Sequence, residues 1–489
     1  MVSRRSTRLS RFLARLVPWR RKREAEAKAE APPITVSVEK PLPAGATQFP
    51  GTHGAEERDI VLGLDFGTSS TKVVIQSPFM YGARAVAVPA DGPSSEANPA
   101  SGVLRYLFPS RLYRSSKGEA SLVDADACGA LLDLKLALID TPTSSDALAH
   151  VAAYLALVIR RARSWFLENQ AEGYSRYRLR WALNLGIPSA GYDDSDVRRR
   201  FDAAAQAAWA LSTTDGSVTV ESARCAAEQA LGQKGGSNDQ IALIPEVAAE
   251  VVTYARSPLR SPGLHVMVDV GASTLDVCSF VLHELEGEDQ YAMLTAQVQR
   301  LGALMLHWYR LERLGKDRVA PGVAEIPLQS VGASVPEHLL DYVAGHPPAT
   351  LRSIDQEFAD RCVSVLMATL MDLKKRRDPH SPRWKEGLPV FLCGGGSRMR
   401  FFQQILDAAN ERLCAATLAK GLSRRRLPVP QNLVTQDLPA EDFDRVAVAF
   451  GLSHGALDIG ETVPPTDIED IPQLRVRNFW ENYISKDQV

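Results

Sequence analysis

Residues 59–76 read DIVLGLDFGTSSTKVVIQ, and the architecture follows from this stretch. Ile60, Val61, Leu62 and Leu64 form one apolar run, and Val73, Val74 and Ile75 form another. The small residues Gly67, Thr68 and Ser69 lie between them, so the pattern predicts a strand, a tight turn and a second strand. Residues 265–282, HVMVDVGASTLDVCSFVL, repeat the unit. Each copy sets an Asp two residues before the turn glycine: Asp65 before Gly67, and Asp269 before Gly271. Two such copies predict two similar halves facing each other. Helical periodicity fills the intervals at 124–139, 146–169, 194–211, 221–232, 244–256, 300–314, 354–377, 400–419 and 442–457. Strand runs that alternate with helices predict an α/β architecture.

Composition narrows the class. The chain has 489 residues, 45% of them hydrophobic, which excludes a wholly disordered protein. Lys+Arg number 56 against 58 Asp+Glu, a net charge of −2 that argues against a generic nucleic-acid binder. That balance hides an asymmetry. Residues 1–23 hold nine basic residues and no acid, so the rest carries 47 against 58. Leu9, Phe12, Leu13, Leu16 and Val17 recur at helical spacing among those arginines. This leader reads as an amphipathic helix for a membrane surface or an acidic partner, as a targeting presequence, or as a solvated tail. Residues 24–57 read as a Pro-rich linker, and 460–489 as an irregular tail ending in FWENYI. The six cysteines form no CxxC pair, the pattern of a reduced cytoplasmic protein.

The turns carry the chemistry. Several backbone N–H groups aimed into one concavity suit phosphate oxygens. An Asp at the end of the preceding strand can hold hydrated Mg²⁺ beside them. Gly67-Thr68-Ser69 with Asp65 meets this description, and so does Gly271-Ala272-Ser273-Thr274 with Asp269. One copy alone is an ordinary hairpin, so the pairing is what counts. A third element at 388–406, LPVFLCGGGSRMRFFQQIL, predicts strand, turn and helix. There Gly394, Gly395 and Gly396 would let a nucleoside lie flat on the backbone, with Ser397 as a hydrogen-bonding group.

In this order the elements resemble the actin/hexokinase/heat-shock ATPase superfamily, most closely its DnaK-type (heat-shock protein 70-like) chaperone branch, over residues 59–457. GLDFGTSSTK is similar to the first phosphate loop, VDVGASTLD to the second, and FLCGGGSRMR to the adenosine loop. LIPEVAAEVVTYA and RVAVAFGLSHGAL resemble the two connecting helices. LLDLKLALI resembles the segment with the catalytic lysine, and residues 184–211 the family's strand, Pro-small turn and helix. The resemblance implies a two-lobed actin-like fold of duplicated ribonuclease H-like domains, with the nucleotide between lobe I at 58–262 and lobe II at 263–459. It also implies ATP or ADP with Mg²⁺, the metal held largely through water by Asp65 and Asp269. Thr68, Ser69 and Thr274 would then bind phosphate or the attacking water, Lys135 would neutralise the γ-phosphate, and Glu246 would orient the water. Asp276 follows the second loop as the family's Asp does.

Departures from the family shape the functional expectation. Ala272 and Ser273 replace two loop glycines, Met399 stands where the family has an adenine-packing Arg, and Arg398 is one place off. Only Gly302 remains of a Gly-Gly pair. The tail is too short for the family's peptide-binding domain and lid. The leading expectation is a slow Mg-dependent ATPase that switches conformation for a protein partner or co-chaperone, in the cytoplasm or peripheral at a membrane. A metabolite or sugar kinase, an actin-like or membrane-associated scaffold, and a nucleotide binder without hydrolysis stay open beside it.

Overall fold

Both repeated units form antiparallel hairpins that seed the two main sheets. β1 (Glu57–Phe66) pairs antiparallel with β2 (Ser70–Gln76), and β2 antiparallel with β3 (Ala85–Ala87). The short β4 (Phe108–Pro109) joins β2, while β5 (Leu112–Arg114), β6 (Ala120–Ser121) and β7 (Ala130–Leu131) form a small sheet. On the other side of β1 come β8 (Arg178–Ile187) and β9 (Ile241–Pro245), both parallel. The second sheet repeats this plan. β10 (Gly263–Val270), β11 (Leu275–Leu285) and β12 (Glu288–Gln299) are successively antiparallel. β13 (Leu388–Cys393) and β14 (Leu422–Arg425) follow in parallel. The orders β3-β2-β1-β8-β9 and β12-β11-β10-β13-β14 are therefore equivalent, strand for strand and sense for sense. β15 (Leu433–Val434) returns to β3, and β16 (Glu461–Val463) extends the second sheet beside β12.

The computed structural model describes residues 45–49, 56–80, 82–90, 101–124, 129–140, 145–214, 216–232, 238–326, 335–344 and 351–468. The basic leader, most of the linker, Cys128 and FWENYI lie outside them. The longer helices are α1 (Leu134–Asp140), α2 (Ser145–Asn169), α3 (Ser195–Ser212), α4 (Val220–Gly232) and α5 (Glu246–Ala255). They continue with α6 (Ala303–Leu314), α7 (Leu351–Asp372), α8 (Arg400–Thr417) and α9 (Asp444–Leu452). The helix read at 124–139 is corrected to α1 preceded by β7. Gly129 and Asp133 both take positive φ, 83° and 57°, which turns the chain and breaks the helical run. Part of the expected linker is packed. Phe49 is in the core, Trp181 Nε1 donates to the Thr47 carbonyl, and Gln48 Nε2 donates to the Leu179 carbonyl.

Strand alternation assigns each sheet two faces. From the first sheet Ile60, Leu62, Leu64, Val73 and Ile75 join the apolar sides of α2 and α3 in one core. The opposite face, with Val74, Ala85 and Ala87, packs on α9. In the second sheet Val266, Val268 and Val270 pack with α6, α7 and α8, whereas Met267, Cys278 and Phe280 pack on α5. The inner helices α5 and α9 meet through Ala249, Val448 and Leu452. Their approach is so close that a Cβ on Gly451 would lie 1.9 Å from the Ala249 carbonyl oxygen. Gly63 plays the same part against the sheet, 2.4 Å from the Ala449 carbonyl oxygen. At the end of α9 the buried Asn184 amide donates to the Leu452 and His454 carbonyls at 2.8 Å each, satisfying groups that a helix terminus leaves open. Gly451→Val places branched carbons against backbone that cannot retreat. Urea unfolding should show a loss of about 3 kcal/mol, and unchanged stability would refute the close crossing.

Two fully buried histidines make the fold sensitive to acid. His265 stacks between Phe280 and Phe391, with Nδ1 against the Gly263 carbonyl and Nε2 against Tyr254 Oη. The neutral ring satisfies both contacts if Nδ1 carries the hydrogen. His307 meets Tyr342 Oη through Nδ1. Burial lowers both pKa values to about 4, from 6.5 when exposed. A folded-state pKa below the unfolded value makes stability fall as pH drops through that interval. Each histidine should cost about 2 kcal/mol at about pH 5 relative to neutral pH. Thermal melting of the parent and of His265→Phe should differ in their pH dependence, the parent losing more stability than the variant between about pH 7 and pH 5; the same loss in both would contradict it.

Candidate functional site

The first turn is built by register. Asp65 at the end of β1 lies opposite Lys72 on β2, and Lys72 Nζ donates to Asp65 Oδ2 at 3.0 Å. Gly67 has no alternative, because a Cβ there would lie 2.4 Å from the Ser70 carbonyl oxygen. Ser110, just after β4, holds the turn from behind. Its N–H donates to the Ser69 carbonyl and its Oγ to the Gly67 carbonyl. With those carbonyls tied back, the Thr68 and Ser69 N–H groups meet no acceptor among the described residues.

The second turn is held by a helix instead. The N–H groups of Gly302, Ala303 and Leu304, where α6 begins, donate to the carbonyls of Ser273, Gly271 and Ala272. Gly302 is the contact point, since a Cβ there would lie 2.6 Å from two of those oxygens. Gly271 N–H closes on the Thr274 carbonyl, and the Ala272, Ser273 and Thr274 N–H groups meet no acceptor among the described residues. Neither Ala272 nor Ser273 takes a positive φ, so replacing glycine there costs no backbone strain. The Ser273 side chain is buried, and Thr274 Oγ1 donates to Asp276 Oδ2 at 3.4 Å.

Two more elements bring charge to these turns. α1 carries Lys135, which donates to Glu246 Oε1 at 2.6 Å from a nearly buried position. Glu246 opens α5, and Gly186 leaves room for it, since a Cβ there would lie 3.0 Å from Glu246 Cγ. Parallel pairing then sets Cys393 beside Asp269 and delivers the triple-glycine turn to the same place. Gly394 takes φ 82°, and a Cβ there would lie 2.0 Å from Asp269 Oδ1. Only glycine fits between that carboxylate and the turn.

Among the described residues, Asp65, Glu246, Glu250, Asp269 and Asp276 gather with Lys72 and Lys135 at the centre of the site, and Arg445 bears on Asp269 as well. Burial, and next the Glu246 charge, push Asp269 up to about 6. Burial and then Asp269 hold Asp276 and Glu250 well above the usual carboxylate range. Burial opposes the charge on Lys135, but attraction by Glu246 and Asp65 outweighs it and raises the pKa. Behind the second turn a cavity of ≈ 30 Å³ is lined by Glu246, Glu250, Asp269 and Asp276, with Ser189 and Gln297. Asp269 Oδ1 and Asp276 Oδ1 are buried without a hydrogen-bond partner. Among the described residues no group of three or more His, Cys, Asp or Glu forms a direct metal-binding cluster.

The expected residues thus converge, with adjustments at the third turn. Gly394 borders Asp269, whereas Gly395 lies against Arg445 and Gly396 against Val270 and Ala303, and Ser397 Oγ donates back to the Gly394 carbonyl at 2.7 Å. Met399 is 9% exposed and packs in the core, while Arg398 is bound by Asp442 and Asp444. Three site residues escaped the sequence reading: Lys72, Glu250 and Arg445. Lys72 was accessible from hairpin register and Glu250 from its place one helical turn beyond Glu246. No family model matches the chain, and no curated protein matches it. Among the described residues no helix is long and apolar enough to cross a membrane.

The lysine–glutamate pair yields a stability test. Lys135→Met leaves Glu246 buried without its counter-charge and should cost about 3 kcal/mol in urea unfolding. Lys135→Met with Glu246→Gln removes both charges and should recover to within about 1 kcal/mol of the parent. A double variant no more stable than the single would show that the two groups are not energetically paired.

Proposed function

We propose that this chain is an ATP-binding protein of the DnaK-like heat-shock type, a slow Mg-dependent ATPase with the two-lobed actin-like fold. The doubled sheet carries this reading: one strand plan occurs twice, and each copy aims an Asp-x-Gly turn with free N–H groups at a shared acidic centre. The residues fit a nucleotide with its metal. Five N–H groups without acceptors suit phosphate oxygens. Two orphaned carboxylate oxygens beside a water-sized cavity suit a hydrated divalent cation.

In this reading Asp65 and Asp269 hold Mg²⁺ through water, and Thr68, Ser69, Ala272, Ser273 and Thr274 receive phosphate oxygens. Bound Mg²⁺ supplies neutralisation of phosphate charge. Phosphoryl transfer asks a protein mainly for positioning and electrostatic stabilisation, and the chain has the groups for both. Lys135 faces the terminal phosphate, and Glu246, bonded to Lys135, orients the attacking water. Gly394, Gly395 and Gly396 receive the nucleoside. A ligand that touches turns of both lobes binds best when the lobes are close, which supplies the differential affinity a switch needs. A protein partner would read that closure.

Purified protein should bind ATP and ADP with Mg²⁺ and release phosphate slowly without any sugar acceptor. Lys135→Ala should abolish release while nucleotide binding persists in calorimetry. Absence of nucleotide binding in the parent protein with Mg²⁺ present would overturn the proposal, and sugar-dependent ADP production would replace it with the kinase reading.

A further inference from the structure

Arg445 lies where the sequence leads one to expect a nucleoside. A Cβ on Gly395 would sit 3.0 Å from Arg445 Cζ, 3.1 Å from Nη1 and 3.3 Å from Nη2. Such nearly equal distances to three atoms of one plane put the bare Cα of Gly395 over the face of the guanidinium. The N–H donors lie around the edge of that plane, so the glycine contact uses none of them.

The charges around Arg445 do not neutralise it. Asp442 and Asp444 are its neighbours in sequence, yet both are engaged by Arg398, at 2.8 Å and 2.7 Å. Arg445 itself makes no hydrogen bond or ion pair with any described residue. Burial and then repulsion from Arg398 lower its pKa. Across the turn stands the opposite imbalance, Asp269 with a buried oxygen lacking any partner. A guanidinium and a carboxylate oxygen, neither hydrogen-bonded to a described side chain, thus flank Gly394 and Gly395. A metal-bound phosphate presents the complement of both: an anionic oxygen for the arginine and a cation for the aspartate.

Position selects which phosphate. Lys72 and Lys135 are held by Asp65 and Glu246 at the first turn and the start of α5. Arg445 instead lies against Gly395, in the triple-glycine turn that the nucleotide reading gives to the nucleoside. We infer that Arg445 binds the phosphate nearest the nucleoside through the free edge of its guanidinium, the end of the phosphate chain opposite Lys135. This rests on the nucleotide reading above and adds to it a residue that no part of the resemblance supplies. A planar fork matches phosphate geometry, which a point charge does only in part.

The test compares adenosine, AMP and ADP, each displacing a fluorescent ADP analogue from the full chain with Mg²⁺ present. Arg445→Gln should weaken AMP and ADP by about ten- to a hundredfold and leave adenosine unchanged. Arg445→Lys, which keeps the charge and protects against a folding failure, should lose less AMP affinity than Arg445→Gln. Parental AMP and ADP affinity in both Arg445 variants overturns the inference, as does an equal loss for adenosine, which would make Arg445 a base contact. If the parent chain binds no nucleotide, the nucleotide reading fails first. If it binds nucleotide and the arginine variants do not differ, only the arginine assignment fails.

Discussion

The packing of α5 on α9 is the constraint on which the rest depends. These helices lie between the inner faces of the two sheets, α9 against the first and α5 against the second, and meet each other between them. Gly451 against the Ala249 carbonyl, and Gly63 against the Ala449 carbonyl, leave no room for one methyl group. Glu246 opens α5 and Arg445 lies in the first turn of α9, so the same crossing positions charged groups at the site. Packing and chemistry are set by one contact.

The site gathers more buried carboxylate than its lysines can neutralise. A protein can tolerate such a cluster only by holding protons on it, by pairing it, or by supplying a cation. Lys72 pairs Asp65 and Lys135 pairs Glu246. Asp269, Asp276 and Glu250 are left, and all three bind protons more tightly than ordinary carboxylates. Held protons answer part of that surplus, and in the proposed reading a hydrated cation answers the rest, since no direct metal-binding cluster forms among the described residues.

Much of this was legible in the sequence, and the failures have specific causes. The hairpins and their Asp-x-Gly spacing are local, so apolar runs around small residues were enough to place them. Lys72 follows from the same hairpin register, because a turn centred on Thr68 and Ser69 sets it opposite Asp65. The segment before Lys135 misled because its helical spacing crosses Asp133, whose positive φ nothing in the periodicity announces. Lys135 and Glu246 are 111 positions apart; the resemblance placed both at one site in separate roles, and nothing in the sequence announced their ion pair. Arg445 had no such signal. Its contact with Gly395 bridges the start of α9 and the turn after β13, and sequence attention at that turn falls on Arg398, which the acids of α9 have already taken.

The two turns show why a motif reveals less than the site it belongs to. Both tie their carbonyls to a neighbouring element and leave N–H groups without an acceptor among the described residues. In the first sheet a serine after β4 does this with one N–H and one hydroxyl. In the second, three N–H groups at the start of α6 do it, admitted by Gly302. Backbone donors suffice for the second turn whatever residues stand in it, provided their φ stays negative. Ala272 and Ser273 satisfy that condition. The requirement lies in the carbonyl supports and not in glycine as such, so a turn without glycine at these two positions can still leave its N–H groups open to an acceptor.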